Sequence, residues 1–191
     1  MVAIWSLVLS LLLSTFAFAD QAPVCLSYGK NLAVNNSQVL HWKRTTNNQF
    51  RERGHVQGTV LQVYNDKNGH SHFQVQLGNQ GDDTIEVIYN QDFGVLPAVH
   101  SGMNAEACGD YITSTAQSGP YPASPDGAIL HWVHMNPSGR GHDAGYLMLD
   151  GTLYGQDAEH AGDKHQGSDG SRDALPQKQK NQDNNYHRRH R

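Results

Sequence analysis

The chain has 191 residues, 37% of them hydrophobic and 17% charged, with 18 acidic residues, 14 basic residues and two cysteines. That length fits one ordinary domain with a tail and argues against a large two-domain enzyme. A net charge of −4 supplies no overall field for nucleic acid, two cysteines exclude a disulfide-built mini-protein and a four-cysteine zinc ribbon, and twelve histidines stand out.

Residues 4–18 form an apolar run, closed by Ala17-Phe18-Ala19 and then Asp20. Small residues at the third and first positions before a cut after Ala19 are what signal peptidase accepts. An uncleaved anchor would need roughly 20 apolar residues. Residues 1–19 therefore read as a signal peptide, the mature chain as starting at Asp20, and the protein as secreted or periplasmic, with no later transmembrane segment. In such an oxidising compartment Cys25 and Cys108 are expected to form a disulfide. Neither lies in a Cys-x-x-Cys motif or beside a histidine, as a catalytic or metal-ligating thiol would.

The segment 20–53 offers one helix, over 37–53, with Ser37 as cap and Leu40, Trp42 and Phe50 as apolar contacts. From Gly54 onward the pattern changes to short strands: 55–64, 70–77, 84–90, 110–117, 127–134, and a hairpin 145–155 turning at Asp150-Gly151. In the first of these, Val56, Gly58 and Val60 alternate before the phase shifts to Leu61 and Val63, as a bulge near Gly58 would produce. In 70–77, Phe73, Val75 and Leu77 share one face and His70, His72, Gln74 and Gln76 the other. The fold expected for 54–156 is mostly β, a five- or six-stranded antiparallel Greek-key barrel of the oligomer-binding (OB-like) type, with a small sandwich as the alternative. Residues 157–191 contain five hydrophobic residues among six acidic and seven basic ones, too few to repay ordering, and read as a disordered polar tail.

Chemistry concentrates in the run His131 to Asp143. A zinc or other divalent transition-metal site needs three or four donors within about 2.0–2.3 Å of the ion. In a straight strand His131 and His134 point to opposite faces. Pro137 ends the ladder, however, and a turn over 136–141 would bring His142 back beside His134. The candidate metal set is His72, His134 and His142, with His70 and Asp143 in support; the competing reading is ordinary hydrogen-bonded strand histidines. Trp132, Arg140 and His131 are the candidate contacts to a polar or anionic oligomer. Trp132, Tyr89, Tyr111, Tyr146 and Tyr154 serve either as a stacking surface or as core.

Local catalytic signatures for zinc proteases, serine hydrolases and P-loop enzymes do not occur. A metal-activated water with Asp92, Asp143 or Glu86 as base is the enzymatic alternative. Over 20–156 the chain carries twelve acidic against seven basic residues, the wrong sign for a reader of duplex DNA. The basic end Tyr186–Arg191 suits anionic polymers or lipid headgroups.

The run His131-Trp132-x-His134-x-x-Pro137-x-Gly139-Arg140, with Gly54-His55-Val56, Gly58, His72-Phe73, Leu77, Asn90 and Pro97, resembles a bacterial family of small exported proteins catalogued as a domain of unknown function. Met135 and Asn136 stand where that family has a second His and an Asp. The resemblance covers about 54–154 and implies an oligomer-binding barrel without implying a reaction. The functional expectation is a secreted or periplasmic binding module, the histidine-rich patch taking a divalent metal or a polar or anionic oligomer. Its rivals are a metal-dependent, nuclease-like hydrolase and a secreted effector acting on a host protein.

Overall fold

The computed structural model of the chain describes residues 20–157. The expected signal peptide and all but the first residue of the expected tail lie outside the described residues. A short hairpin comes first, β1 (Leu26–Ser27) and β2 (Lys30–Asn31), followed by α1 (Asn36–Thr45). Seven strands then form one sheet: β3 (Arg51–Val63), β4 (His70–Gln76), β5 (Thr84–Asn90), β6 (Asn104–Thr113), β7 (Ala128–His131), β8 (Tyr146–Leu149) and β9 (Thr152–Tyr154).

The strand order is β3-β4-β5-β7-β6-β8-β9, and β3 also pairs with β6, so five strands close into a barrel while β8 and β9 extend one wall. This is the OB-like barrel that the strand pattern predicts. One pair departs from an all-antiparallel arrangement: β5 and β7 run parallel, with Glu86 opposite Ile129 and Val87 opposite Leu130. The reason is topological. β7 is antiparallel to β6, and inserting it between β5 and β6 to close the barrel leaves it running the same way as β5.

Closure depends on β3 serving two partners. Arg51–Thr59 pairs with β6 and Thr59–Val63 with β4. The strand must bend between those ladders, and at Gly58 a Cβ would lie 1.9 Å from the Gln76 carbonyl oxygen. Only glycine admits that approach. The register shift falls between Val60 and Gln62, just past the glycine, and sends Leu61 and Val63 outward, each 42% exposed. The apolar phase change therefore marks a bulge and no second inward row.

β4 alternates as its sequence requires, Phe73 and Val75 inward and His70, His72, Gln74 and Gln76 outward. With Val56, Ile85, Tyr111 and Leu130 they form the core, each such side chain contributing about 1.5–3 kcal/mol by leaving water. α1 adds Val39 and Leu40, with Trp42 packed against Tyr111 and Phe50. It is shorter than the 37–53 span read from sequence, and Asn35 occupies the N-cap place expected for Ser37. The Thr45 and Thr46 hydroxyls donate to the His41 and Trp42 carbonyls, an alternative to continuing the helix that threonine offers at a terminus. The chain then turns and enters β3 at Arg51.

The expected disulfide joins Cys25 to Cys108, with 5.6 Å between Cα atoms. It pins residues 20–35 as a strap across β6 and β8, where Cys25, Cys108, Tyr146 and Met148 form a second apolar cluster with Ala22, Leu32 and Leu153. The buried Arg53 guanidinium fastens it further, donating to the Leu26 and Ala144 carbonyls and to Asp110 (2.7 Å). His55 bridges from the Leu32 carbonyl (2.8 Å) to Glu106 (3.0 Å).

Candidate functional site: a ring-lined barrel face

The outer surface of β4, β5 and β7 adjoins the strap's anchor, since a Cβ at Gly145 would lie 2.3 Å from both the Cys108 and Trp132 carbonyl oxygens. Its β5 row is covered by Lys43 of α1 and by Tyr64 and Asp126, and the predicted site residues divide across the surface. β7 ends at His131 because Trp132 turns the backbone into the left-handed region, φ 52°. A bulky residue held there costs about 1–2 kcal/mol, and such strain persists only where surrounding structure enforces it. The turn ends the ladder; Val133 enters the core and His134 is buried at its edge.

Asn136 staples the following loop. Its amide nitrogen donates to the Arg140 carbonyl (2.9 Å) and the His142 carbonyl, and its oxygen accepts from Ser138 (2.7 Å) and the Gly139 amide (3.1 Å). This loop returns His142 to His134, as the proline and turn signals predict, with ring centroids 5.5 Å apart.

A continuous file of rings results. His70 lies 5.8 Å from His131, His131 4.4 Å from Trp132, Trp132 5.4 Å from His142, and His134 stacks on Phe93 at 3.7 Å. The Arg51 guanidinium carbon sits 5.3 Å from the Trp132 ring centre, within cation–π range. Six rings from four segments thus share one edge of the barrel, with a cation over the largest.

Rings gathered in this way are not metal donors gathered at a point. Among the described residues no group of three or more His, Cys, Asp or Glu side chains is placed to hold a metal ion. The proposed set is divided by its hydrogen bonds. His72 shares the outward face of β4 with His70 but bonds Glu86 through Nδ1 (2.7 Å). His134 directs Nδ1 to the Met135 carbonyl (2.7 Å), and His142 directs Nδ1 to the Asp143 carbonyl (2.9 Å). His70 is on β4 at the far end of the file, its Nδ1 against the Asn68 carbonyl (3.0 Å), and Asp143 is exposed on the loop. His134 and His142 meet edge to face at 88°, and each directs Nδ1 to a neighbouring carbonyl, so the imidazoles assemble without forming a triad.

The other half of the face is a hydrogen-bonded polar cluster. Buried Asp126 accepts from Tyr64 (2.9 Å), Gln74 (2.5 Å) and Thr84 (2.7 Å). Lys43 donates to the Asp82 and Thr84 carbonyls (2.6 and 2.9 Å). Burial pushes the Lys43 ammonium below its ordinary value, although Asp126 pulls the other way. Burial, reinforced by the bond to Asp126, raises the Tyr64 phenol, so it stays a neutral donor at physiological pH. Glu86, buried beside His72, completes the row.

Of the candidate aromatics, Tyr89, Tyr111 and Tyr146 are core and Tyr154 packs against it; Trp132 alone belongs to the file. Arg140 is exposed on the stapled loop, and the cation over Trp132 is Arg51 instead. Sequence inspection missed Arg51, Phe93, Asp126 and Tyr64. Arg51 reaches the tryptophan through the β3–β6–β7 ladders, in which Arg51 pairs with Ile112 and Ile112 with Ile129, and nothing local to either residue announces the contact. Phe93 carried a faint signal: the Asn90 side chain accepts from the Asp92 amide (3.0 Å), a turn that asparagine favours.

Fold and face together define a small OB-like β-barrel with a ring-lined polar surface and a disulfide-fastened strap beside it. Comparison of the chain with protein-family models, curated proteins and solved structures gave no match.

Proposed function

We propose that the protein is an exported binding module, secreted or periplasmic, that takes a polar oligomer along the outer face of β4, β5 and β7. The observation that carries this reading is the ring file centred on Trp132, whose backbone is held in a costly conformation while its ring lies among His131, His142 and Arg51. Stacking platforms of this kind contribute about 1–3 kcal/mol per unit bound. The face of an OB-like barrel suits chains of repeating units, because successive units lie across successive strands. The resemblance to small exported proteins supports the same reading.

Charge selects among oligomers. An acidic excess over 20–156 opposes a polyphosphate. Gln74, Tyr64, Asp126 and Glu86 are taken up by bonds to one another, Thr84 and His72, with Asp126 and Glu86 buried. The groups open to a ligand are therefore the half-buried rings and the exposed Arg51, which suit an uncharged, hydroxyl-bearing unit stacked on a ring. A hydroxyl-rich glycan strand, its flat sugar faces on Trp132, fits best. Titration of the exported chain with a β-linked N-acetylglucosamine oligomer, a uronate oligomer and a single-stranded oligonucleotide, read by indole fluorescence and by NMR of the ring protons, tests this. Saturable perturbation of Trp132 by a sugar oligomer is the expected result. No response to any of the three at millimolar concentration would overturn the binding role.

A further inference from the structure

We propose that cleavage after Ala19 places the new amino terminus in a seat already built for it on the β8–β9 hairpin. This inference rests on the export reading and goes beyond it by assigning the terminus a structural partner. The Asp20 backbone nitrogen donates to the Gly151 carbonyl at 2.8 Å, and the Asp20 carboxylate accepts from the Leu153 amide at 2.9 Å. Both partners belong to one hairpin, Leu153 on its strand β9 and Gly151 in its turn, where Asp150 and Gly151 adopt positive φ of 47° and 82°. Such a pair of left-handed residues makes the tight hairpin that Asp-Gly favours.

Two further features fix Asp20 there. β9 is the outermost strand of the sheet, so the Leu153 amide would otherwise stand on an open edge, and the Asp20 carboxylate closes it. Five residues on, Cys25 is bonded to Cys108, which pairs with Tyr146 of β8. Between the two, Ala22 packs with Leu153 against the disulfide cluster. The segment from Asp20 to Cys25 is therefore held at its start, middle and end along the β8–β9 wall, with no spacer between the last expected signal residue and the first contact of the fold.

Hydrolysis of the Ala19–Asp20 peptide bond consumes one water, leaves a carboxylate on Ala19 and converts the Asp20 amide nitrogen to an ammonium. A singly hydrogen-bonded amide at the Gly151 oxygen becomes a charged donor, and charge-assisted bonds of this kind are stronger than neutral ones. Processing thus strengthens a contact the unprocessed backbone already makes, and the Leu153 amide reports it.

The exported protein would be recovered from the extracytoplasmic fraction for intact mass and N-terminal sequence. Amide hydrogen exchange at Leu153 would then be compared among chains starting at Asp20, the same chain N-acetylated, and a chain starting at Ala22. A mature N-terminus at Asp20 is expected, with Leu153 exchange slowest in the free-amine form. Acetylation should accelerate it, and removal of Asp20 and Gln21 should accelerate it roughly two- to tenfold, the range a single hydrogen bond covers. Cleavage at another bond would overturn the seat and leave export standing. A chain found uncleaved in the cytoplasm would overturn both, and equal Leu153 exchange in all three chains would overturn the seat alone.

Discussion

Two neighbouring regions of the barrel, the strap and the ring file, use similar residue types in opposite ways. On the strap side, His55, Glu106, Tyr146 and Arg53 lie between the N-terminal segment and the β6–β8 wall, where each polar group finds a protein partner: Tyr146 donates to Glu106 at 2.6 Å, and Arg53 meets a carboxylate and two carbonyls. On the ring side, His131, Trp132, His142 and Arg51 are half-buried or exposed and meet one another through ring faces. Polar groups that are covered become fasteners, because an unpaired buried donor or acceptor costs about 1–3 kcal/mol. On the ring side Trp132 is held in a strained backbone conformation with its ring only half-buried, and that contrast is why the binding role is proposed for this side.

The sharpest way to break the comparison is to unfasten the strap. Replacing Cys25 and Cys108 together by alanine reopens an 83-residue separation, and loop-closure entropy puts the loss of stability at about 4 kcal/mol. Thermal and denaturant unfolding would measure it. Below the new melting temperature, binding at Trp132 should change less than twofold, since the Trp132 ring contacts His131, His142 and Arg51 and not the disulfide, although Cys108 lies on the neighbouring strand. A large loss of binding in folded protein would show that the two sides are one device.

The complementary change is Trp132→Ala. It should weaken oligomer binding about tenfold or more, in line with the 1–3 kcal/mol carried by a stacked unit, as read by titration calorimetry. Arg51→Ala should cost about 0.5–1 kcal/mol of binding, the value of an exposed cation–π contact.

Trp132 also allows strain and function to be separated. Glycine accepts φ of 52° without penalty, so Trp132→Gly should be more stable than Trp132→Ala by about 1 kcal/mol while binding equally poorly. Chemical denaturation of the two variants makes the comparison. Equal stability would mean that the backbone at 132 is not strained and that its geometry follows from the loop alone.

Most of the scaffold was legible in the sequence, and the physical reason is locality. Alternation over 70–77 and 84–90, Asp150-Gly151 as a hairpin turn, and the phase shift beyond Gly58 are properties of a few neighbouring residues, and those strands lie where the structure has them. The strand expected over 110–117, by contrast, is β6, Asn104–Thr113, displaced toward the N-terminus by its ladder with β3. Where locality fails, so does the reading. The end of α1 is set by two threonine hydroxyls and by β3 claiming Arg51 for its ladder with β6. The site divides in the same way. The return of His142 to His134 was legible because Pro137 and the loop lie between them. The assignment of His72 to the same cluster was not sound, because only the cross-strand register decides that its partner is Glu86.

The smallest predicted effect concerns acid, and it belongs to the strap side. Burial pulls the Glu106 carboxyl upward, but hydrogen bonds from Tyr146 and His55 outweigh it and hold the group below its ordinary value of 4.5. A folded value below the unfolded one means fewer bound protons in the native state. The stabilisation is therefore complete above pH 4.5 and disappears as pH falls through the depressed folded value. Asp83, lowered by the Gln80 amide and Arg44, acts in the same direction. Glu106→Gln removes the titrating group while keeping an acceptor for Tyr146, so it should lower stability at pH 7 by less than about 1 kcal/mol and flatten the decline below pH 4.5. Unfolding curves at pH 3.5, 5 and 7 would read this. Because Glu106 faces the strap and no ring of the Trp132 file, the same substitution should leave binding at pH 7 unchanged, and a binding loss would mean that the fastened wall reaches the open one through β6.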